Sequence, residues 1–471
     1  MTESYDVAII GAGTAGLSAL REVRKKTERF VIINDGPYGT TCARVGCMPS
    51  KALIEAANAF ERRKAFADFG IRGAEKLSVE IPAVLRRVRR LRDQFVAGAV
   101  KLTDDLGERS IAGKAQFLSL DTLRVGDRTL HAKSIIVATG SSPVVPNEWP
   151  DLGSRLITTD SLFELQDLPP RIAVIGLGPL GMELSQALGR LGIRITAFSD
   201  MPHVGGLTDS EVNERALAAL REDVEIHIGP RVKLQQEASG VRVTSGGHSV
   251  VVDAVFAAMG RRPNLTGLGL ERLGLPLDQR GLPVIDAHSM RVAKSTLYIA
   301  GDVDTTLPLQ HEANDEGHIA GFNAVRASAE SFRRRVRLGI VFCSPQLAVI
   351  GTPYRDLAHD QIVIGAADFS RQGRAIMAAE NRGLLRVYAD KQSKRLVGAE
   401  LCTPQGEHLA HLLALAIERA STVADILRTP FYHPTLEEGL RTALRDAARQ
   451  LGARADSDLA SCDPLGAEAL D

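Results

Sequence analysis

A short apolar run that stops at a glycine turn and passes into a helical pattern occurs twice in this chain. Asp6-Val-Ala-Ile-Ile10 precedes Gly11-Ala-Gly13-Thr-Ala-Gly16 and a helical stretch from Leu17 to Lys26. Arg171-Ile-Ala-Val-Ile175 precedes Gly176-Leu-Gly178-Pro-Leu-Gly181 and a helical stretch from Met182 to Leu191. A second strand follows each helix, at Phe30–Ile33 and Arg194–Phe198. In such a unit the glycines let the backbone approach a pyrophosphate at a helix N-terminus. One GxGxxG says little, but two in full strand–turn–helix–strand context imply two bound dinucleotides and electron transfer between them. The fold class expected is α/β, with two Rossmann-like domains.

Between the units lies Gly39-Thr-Thr-Cys42-Ala-Arg-Val-Gly46-Cys47-Met-Pro49-Ser50-Lys51. Lys51 to Phe66 reads as helix. A regular helix rises ~1.5 Å and turns ~100° per residue, so cysteines five apart on it diverge too far to bridge. If Cys42 and Cys47 pair, the chain between them must bend, and Gly46 is the residue that permits it. A pair of unlinked thiols is the other reading, and these residues alone do not separate the two.

Lys+Arg and Asp+Glu number 57 each in 471 residues, so bulk charge favours neither nucleic acid nor an acidic membrane surface. The basic run Arg86–Arg92 lies in a helical pattern with Val84, Leu85, Val88, Leu91 and Phe95 available for packing, and reads as a solvated helix face. Five cysteines (Cys42, Cys47, Cys343, Cys402 and Cys462) make no disulfide scaffold and suit a reducing compartment. With no signal-like amino terminus and no apolar run near ~20 residues, a cytoplasmic enzyme is expected, without membrane, nucleic-acid or metal partners.

Ala83 to Leu106 reads as helix. Gln116–Leu120, Leu123–Val125 and Leu130–Lys133 read as an antiparallel excursion, and Ser134–Ala138 as a buried strand ending in a glycine turn. Ser141–Pro146 reads as a linker, Val251–Met259 as one apolar strand, and Leu297–Val303 as a strand delivering Asp302 at a glycine turn. Beyond ~340, strands at Leu384–Val387 and Leu396–Leu401 and helices at Glu407–Ala420 and Leu436–Gln450 form an α+β domain. The tail after Ala453 reads as loosely held.

In this order the chain carries the first GxGxxG, CxxxxC with Pro49-Ser50-Lys51, Ala138-Thr139-Gly140, the second GxGxxG with Glu183, Gly260-Arg-Arg-Pro-Asn264, Ala300-Gly-Asp302 and His433-Pro-Thr-Leu-Glu-Glu438. It thus resembles the flavoprotein disulfide reductases over nearly its whole length, and among them most the dihydrolipoamide dehydrogenases. The resemblance implies FAD on Gly11, Gly13 and Gly16, with Asn34, Thr41, Lys51, Thr139, Gly140, Asp302 and the backbone near His311 as further cofactor contacts. It implies NAD on Gly176, Gly178 and Gly181 with Gly260 nearby, NADP remaining open. Lys51 and Glu183 match the family's ion pair beside the flavin. Cys42 and Cys47 match its redox disulfide, Cys42 meeting substrate and Cys47 the flavin. His433 and Glu438 match its acid/base pair, delivered from the partner subunit of a homodimer.

The implied division is 1–148 and 273–340 for FAD, 149–272 for NAD(P), and 341–471 for dimerisation. The implied reaction oxidises dihydrolipoyl groups, expected on a separate protein, with NAD as acceptor. The alternative is an NAD(P)H-dependent reductase of another disulfide or a quinone-like acceptor. Three places depart from the family pattern. Thr40 stands for a glycine, Asn34 for the usual ribose acid, and Ser199 for the acid of NAD-preferring members, with Asp200 adjacent.

Overall fold

The computed structural model describes residues 2–304 and 307–452, so Cys462 and the tail lie outside the described residues. Its first sheet runs Ser110–Ala112, Phe30–Asn34, Thr2–Ile10, Arg128–Val137, Thr122–Val125, Ala115–Ser119, and Leu297–Ile299 joins it beside Arg128–Val137. Thr2–Ile10 lies parallel to both neighbours, pairing Ile9 with Ile32 and with Ile136. Val7, Ala8 and Ile9 are wholly buried, as are Phe30 to Ile33. Continuous apolar runs rather than alternation are what a parallel sheet covered on both faces requires.

Leu130–Lys133 and Ser134–Ala138, separate in the sequence reading, are one strand, Arg128–Val137. Its first half pairs antiparallel with Thr122–Val125 and its second half parallel with Leu297–Ile299. The opposite correction applies to Val251–Met259, where Asp253 separates His248–Val252 from Ala254–Ala257. The Asp253 carboxylate accepts from the Arg171 backbone N–H at 3.0 Å and from its guanidinium at 2.6 Å, which ties the break to the start of a neighbouring strand. The expected linker at Ser141 is partly strand as well, since Ser141–Pro143 pairs antiparallel with Arg261–Pro263.

The second parallel sheet runs Glu225–Ile228, Arg194–Ser199, Arg171–Ile175, Ala254–Ala257, Leu156–Ile157. The C-terminal sheet is antiparallel throughout, in the order Leu338–Val341, Gln346–Gly351, Leu396–Thr403, Leu384–Asp390, Ile362–Asp368. Helices Gly406–Glu418 and Glu437–Gln450 pack on it. One hydrophobic core joins the three regions, holding Leu53 and Leu85, Ile172 and Leu184, and Val341 and Leu347.

The helix Ile81–Asp104 is not the simply solvated face expected from its arginines. Arg89 donates to the carbonyls of Phe163 and Leu165, Arg87 to that of Ala52, and Arg92 pairs with Glu164. Arg86 and Arg90 are exposed, as is Phe95 at 44%. Spacing gave the helix but not the carbonyls that the long side chains reach. Among the described residues no helix is long and apolar enough to cross a membrane.

Candidate functional site

Both glycine turns have the same construction. A Cβ on Gly11 would meet the Ala138 carbonyl at 2.2 Å, and one on Gly176 the Ala258 carbonyl at 2.4 Å. Both glycines have positive φ, +112° and +99°. A Cβ on Gly16 or Gly181 would strike the carbonyl of Gly11 or Gly176 at 1.8 or 2.0 Å. The middle glycines differ in kind, since a Cβ on Gly13 or Gly178 would meet nothing within 4 Å. These two residues cap helices Thr14–Val23 and Pro179–Arg190 without any side-chain hydrogen bond. Each turn therefore presents free backbone N–H groups to an open space, the cradle that a pyrophosphate fits. Both helices begin three residues before the sequence reading placed them, so the third glycine of each turn lies inside the helix.

Cys42 and Cys47 are free thiols on separate helices. Cys42 lies in the single turn Thr41–Arg44, and Cys47 opens the helix Cys47–Glu61. The longer helix thus starts four residues before the expected Lys51. Pro49 does not prevent this, because its missing N–H falls in the first turn, where donors have no helical partner. The bend lies at Val45–Gly46, at the glycine read as permitting it should the cysteines pair. A Cβ on Gly46 would stand 3.1 Å from the Thr41 carbonyl and 3.2 Å from the Cys42 Cα, so a larger residue would have to push this tight approach apart by a few tenths of an ångström. The neighbouring Cys42 thiol and the nearby Lys51 ammonium hold the Cys47 thiol down to about 7. The Cys47 thiol, together with burial, raises that of Cys42.

Lys51 and Asn58, seven residues apart, share one face of Cys47–Glu61. They meet Glu183 and Arg190, seven apart on Pro179–Arg190. Lys51 Nζ donates to both Glu183 oxygens at 2.8 Å, and Arg190 Nη1 donates to Asn58 Oδ1 at 2.8 Å. Glu183 is 3% exposed and also accepts the Phe342 backbone N–H at 2.8 Å. The Phe342 ring lies 4.7 Å below the Lys51 ammonium. Arg190 pairs with Asp223 at 2.8 Å, both side chains nearly fully buried. Removing one partner from so buried a pair costs about 3–5 kcal/mol, while Lys51–Glu183 and Arg190–Asn58 hold the two helices in register alongside their packing.

A cleft of about 260 Å³ collects Gly13, Thr41, Cys42, Cys47, Lys51, Gly140, Glu183 and Asp302. Asp302 Oδ2 accepts from Ser141 Oγ at 3.0 Å. Thr139 Oγ1 is buried without a hydrogen-bond partner, and Thr139 itself does not line the cleft, which its neighbours Ala138 and Gly140 do. Asn34 closes its strand as expected, but its Oδ1 accepts from the Ala12 N–H and its Nδ2 donates to the Gly36 carbonyl. The side chain thus braces the first glycine turn. At the start of helix Gln310–Ala324 the cleft is lined by Leu309, Gln310 and Ala313, whereas the His311 ring turns toward Glu312 at 3.7 Å. Sequence reasoning missed Phe342, Ser141 and Arg261. Of these only Arg261 carried a signal, lying inside a motif whose glycine alone was singled out.

A second, larger cleft of about 700 Å³ holds Gly176, Gly178, Ser199, Asp200, Arg231 and Gly260. Ser199 is buried, its Oγ bonded to the N–H and carbonyl of Met201. Asp200 pairs with Arg231 at 3.0 Å. His433 lies apart from both clefts, 79% exposed, with Nδ1 3.1 Å from each Glu438 oxygen. This contact holds the Glu438 carboxyl below the usual range.

Two open glycine cradles, a thiol pair beside a buried ion pair, and a C-terminal sheet domain define a nucleotide-linked dithiol oxidoreductase. Residues 5–317 match the family described as pyridine nucleotide-disulphide oxidoreductase, and residues 338–444 match its dimerisation domain. The chain belongs to this family, whose cofactors are FAD and NAD(H), and the dimerisation domain supports a homodimer. A dihydrolipoyl dehydrogenase of Thermus scotoductus is 30% identical over 462 residues, covering 95% of this chain and 98% of that protein. A mercuric reductase of Bacillus cereus is 29% identical, over 93% of this chain and 71% of its own. The solved structure of a Cu(II) complex of the HOCl-induced flavoprotein disulfide reductase RclA from Escherichia coli has the same fold. Its TM-score is 0.82 at 22% identity, over 94% of this chain and 99% of that one.

Proposed function

We propose that the chain oxidises dihydrolipoyl groups through a Cys42–Cys47 disulfide, with NAD as final acceptor. The observation that carries this reading is the convergence of both cysteines, the Lys51–Glu183 pair and the first glycine cradle on one cleft. FAD held at this cradle would supply the two-electron chemistry that links the dithiol to the nicotinamide. The residues supply the rest. A substrate thiolate attacks Cys42, breaking the disulfide and releasing Cys47 as a thiolate, the form that a thiol held at about 7 favours near neutral pH. The second substrate thiol, its proton taken by His433 of the partner subunit while Glu438 fixes the tautomer, then attacks the substrate sulfur of the mixed disulfide, closing the substrate disulfide and releasing Cys42 as a thiolate. The Lys51 ammonium stabilises negative charge beside the cysteines, and Glu183 limits the cost of burying it.

In this reading residues 1–148 and 273–340 hold FAD and residues 149–272 hold the nucleotide. Gly11, Gly13, Gly16, Thr139, Gly140 and Asp302 serve the flavin nucleotide, and Asn34 serves it by bracing the turn. Gly176, Gly178, Gly181 and Asp200 serve NAD.

The test compares dihydrolipoamide plus NAD with glutathione disulfide or quinones plus NADH on the flavin-loaded dimer. Lipoamide turnover is expected to dominate and to fall by at least about 10³-fold in Cys47→Ser. Faster turnover of another acceptor would replace the substrate assignment, and full activity of Cys47→Ser would remove the cysteine from the mechanism. Alkylation of Cys47 in the reduced dimer should rise with pH through about 7 and level off above it.

A further inference from the structure

Glu400 lies in Leu396–Thr403, the central strand of the dimerisation sheet, and is 0% exposed. Its carboxylate reaches out of that sheet into the wall of the larger cleft. Oε2 accepts the backbone N–H groups of Thr208 and Asp209 at 2.7 and 2.9 Å. Oε1 accepts the Tyr354 N–H at 3.0 Å and the Thr208 hydroxyl. Thr208 Oγ1 in turn accepts the Arg355 N–H at 3.2 Å. Gly206, Leu207, Thr208 and Arg355 all line the cleft, so one carboxylate fastens both of the segments that supply them.

The neighbouring contacts reinforce this point. Asp209, also 0% exposed, accepts from Arg386 Nη1 at 2.7 Å and from the Tyr388 hydroxyl at 2.9 Å. Arg386 stands opposite Glu400 in the strand register and also pairs with Glu211 at 3.1 Å. At the other end of the loop, the Gly205 N–H donates to the Leu177 carbonyl, inside the second glycine turn, at 2.8 Å. Gly205 has φ +62°, and a Cβ there would strike Leu347 of the dimerisation sheet at 2.5 Å. The loop is therefore strung between the glycine turn that cradles the nucleotide and the sheet that carries Glu400.

We propose that Glu400 is a positioning residue for the pyridine nucleotide, through which the dimerisation domain sets the shape of the cleft and hence nucleotide affinity. Three backbone N–H groups and a hydroxyl converge on the two oxygens of this acceptor-only group. Glutamine has the same shape but must turn an NH₂ toward at least one of these donors, so the converging segments part. The proposal rests on the reading of the larger cleft as the nucleotide site.

The experiment uses flavin-loaded dimers of wild type, Glu400→Gln, Thr208→Val and the double variant, with NADH as the probe. Glu400→Gln should raise KM for NADH about 10-fold or more, keep kcat within about 3-fold, and leave the dihydrolipoamide-to-flavin half-reaction unchanged. Thr208→Val removes one of the four bonds and should raise KM about 3-fold, adding little in the Glu400→Gln background because the two share a partner. An unchanged KM in a folded Glu400→Gln dimer overturns the proposal. Equal damage to both half-reactions also does so, since that is what general loosening gives. If Glu400→Gln does not accumulate as a flavoprotein, Thr208→Val decides, an unchanged KM being fatal. Wild-type flavin that NADH cannot reduce would sink the nucleotide site itself, whereas normal reduction with an unresponsive KM sinks only the role of Glu400.

Discussion

Thr40 has φ +47° and ψ +143°, a conformation that a β-branched residue adopts only under strain. Such a residue costs of the order of 1–3 kcal/mol. Its Oγ1 accepts the Ala43 N–H at 3.1 Å and so caps the one-turn helix that carries Cys42, a contribution of about 1 kcal/mol. The two effects oppose each other and give an ordering of variants. Thr40→Gly loses the cap but sheds the strain, and should change stability by less than about 1 kcal/mol. Thr40→Ala loses the cap and keeps the strain, and should be less stable than Thr40→Gly by about 1–2 kcal/mol. Gly-to-Ala changes ordinarily stabilise compatible sites by about 0.4–1 kcal/mol, so the sign is diagnostic. Thermal midpoints of the flavin-loaded protein measure it, and an alanine variant as stable as the glycine variant would show that position 40 is not strained. The sequence located Thr40 as a departure, yet a one-letter change cannot report φ. Asn34 and Ser199 hide information in the same way, because each spends its polar atoms on nearby backbone.

Helices Thr14–Val23 and Gln310–Ala324 cross where both have almost no side chains. A Cβ on Gly317 would lie 2.2 Å from the Ala15 carbonyl, and one on Gly321 2.4 Å from that of Ala19. Gly317→Ala should therefore destabilise by about 1–3 kcal/mol through overpacking. The displaced helix begins at the first glycine cradle, so the purified protein should also carry less flavin. Gly98→Ala is the counterpart, a mid-helix glycine whose Cβ meets nothing within 4 Å, and it should stabilise by about 0.5–1 kcal/mol. Melting curves and flavin-to-protein ratios of the two variants test the pair, and equal effects would refute the close crossing. The strands and the cradles were legible because periodicity and motif spacing are local properties, whereas the Lys51–Glu183 contact, between residues 132 apart, was expected only from the family resemblance. Helix Gln310–Ala324 was not, because Glu312, Glu316 and Asn323 are buried on it and no apolar stripe marks its inner face. The partners of its buried carboxylates lie outside the helix. Arg334 pairs with Glu312 and Glu316, and Glu316 accepts the Gly301 N–H at 2.7 Å beside Asp302.

At the scale of the molecule, the acid/base pair and the thiols are separated within one chain. His433 is 79% exposed, sits beside Tyr432 at 81%, and does not line the cleft that holds Cys42 and Cys47. A base so placed does not line the cleft of its own subunit, and in the proposed mechanism a two-fold dimer brings each subunit's loop to the other's cleft. His433→Ala should then slow thiol–disulfide exchange while leaving flavin reduction by NADH nearly intact. The stronger test mixes subunits. Neither a His433→Ala dimer nor a Cys47→Ser dimer should oxidise dihydrolipoamide at an appreciable rate. Unfolded together in equal amounts and refolded with FAD, half of the dimers would be mixed, and each of these would own one cleft with both cysteines and a partner histidine. Activity should return to about a quarter of wild type. Recovery that stays at the level of the separate variants, in a preparation shown by mass to contain mixed dimers, would place the base within the same subunit.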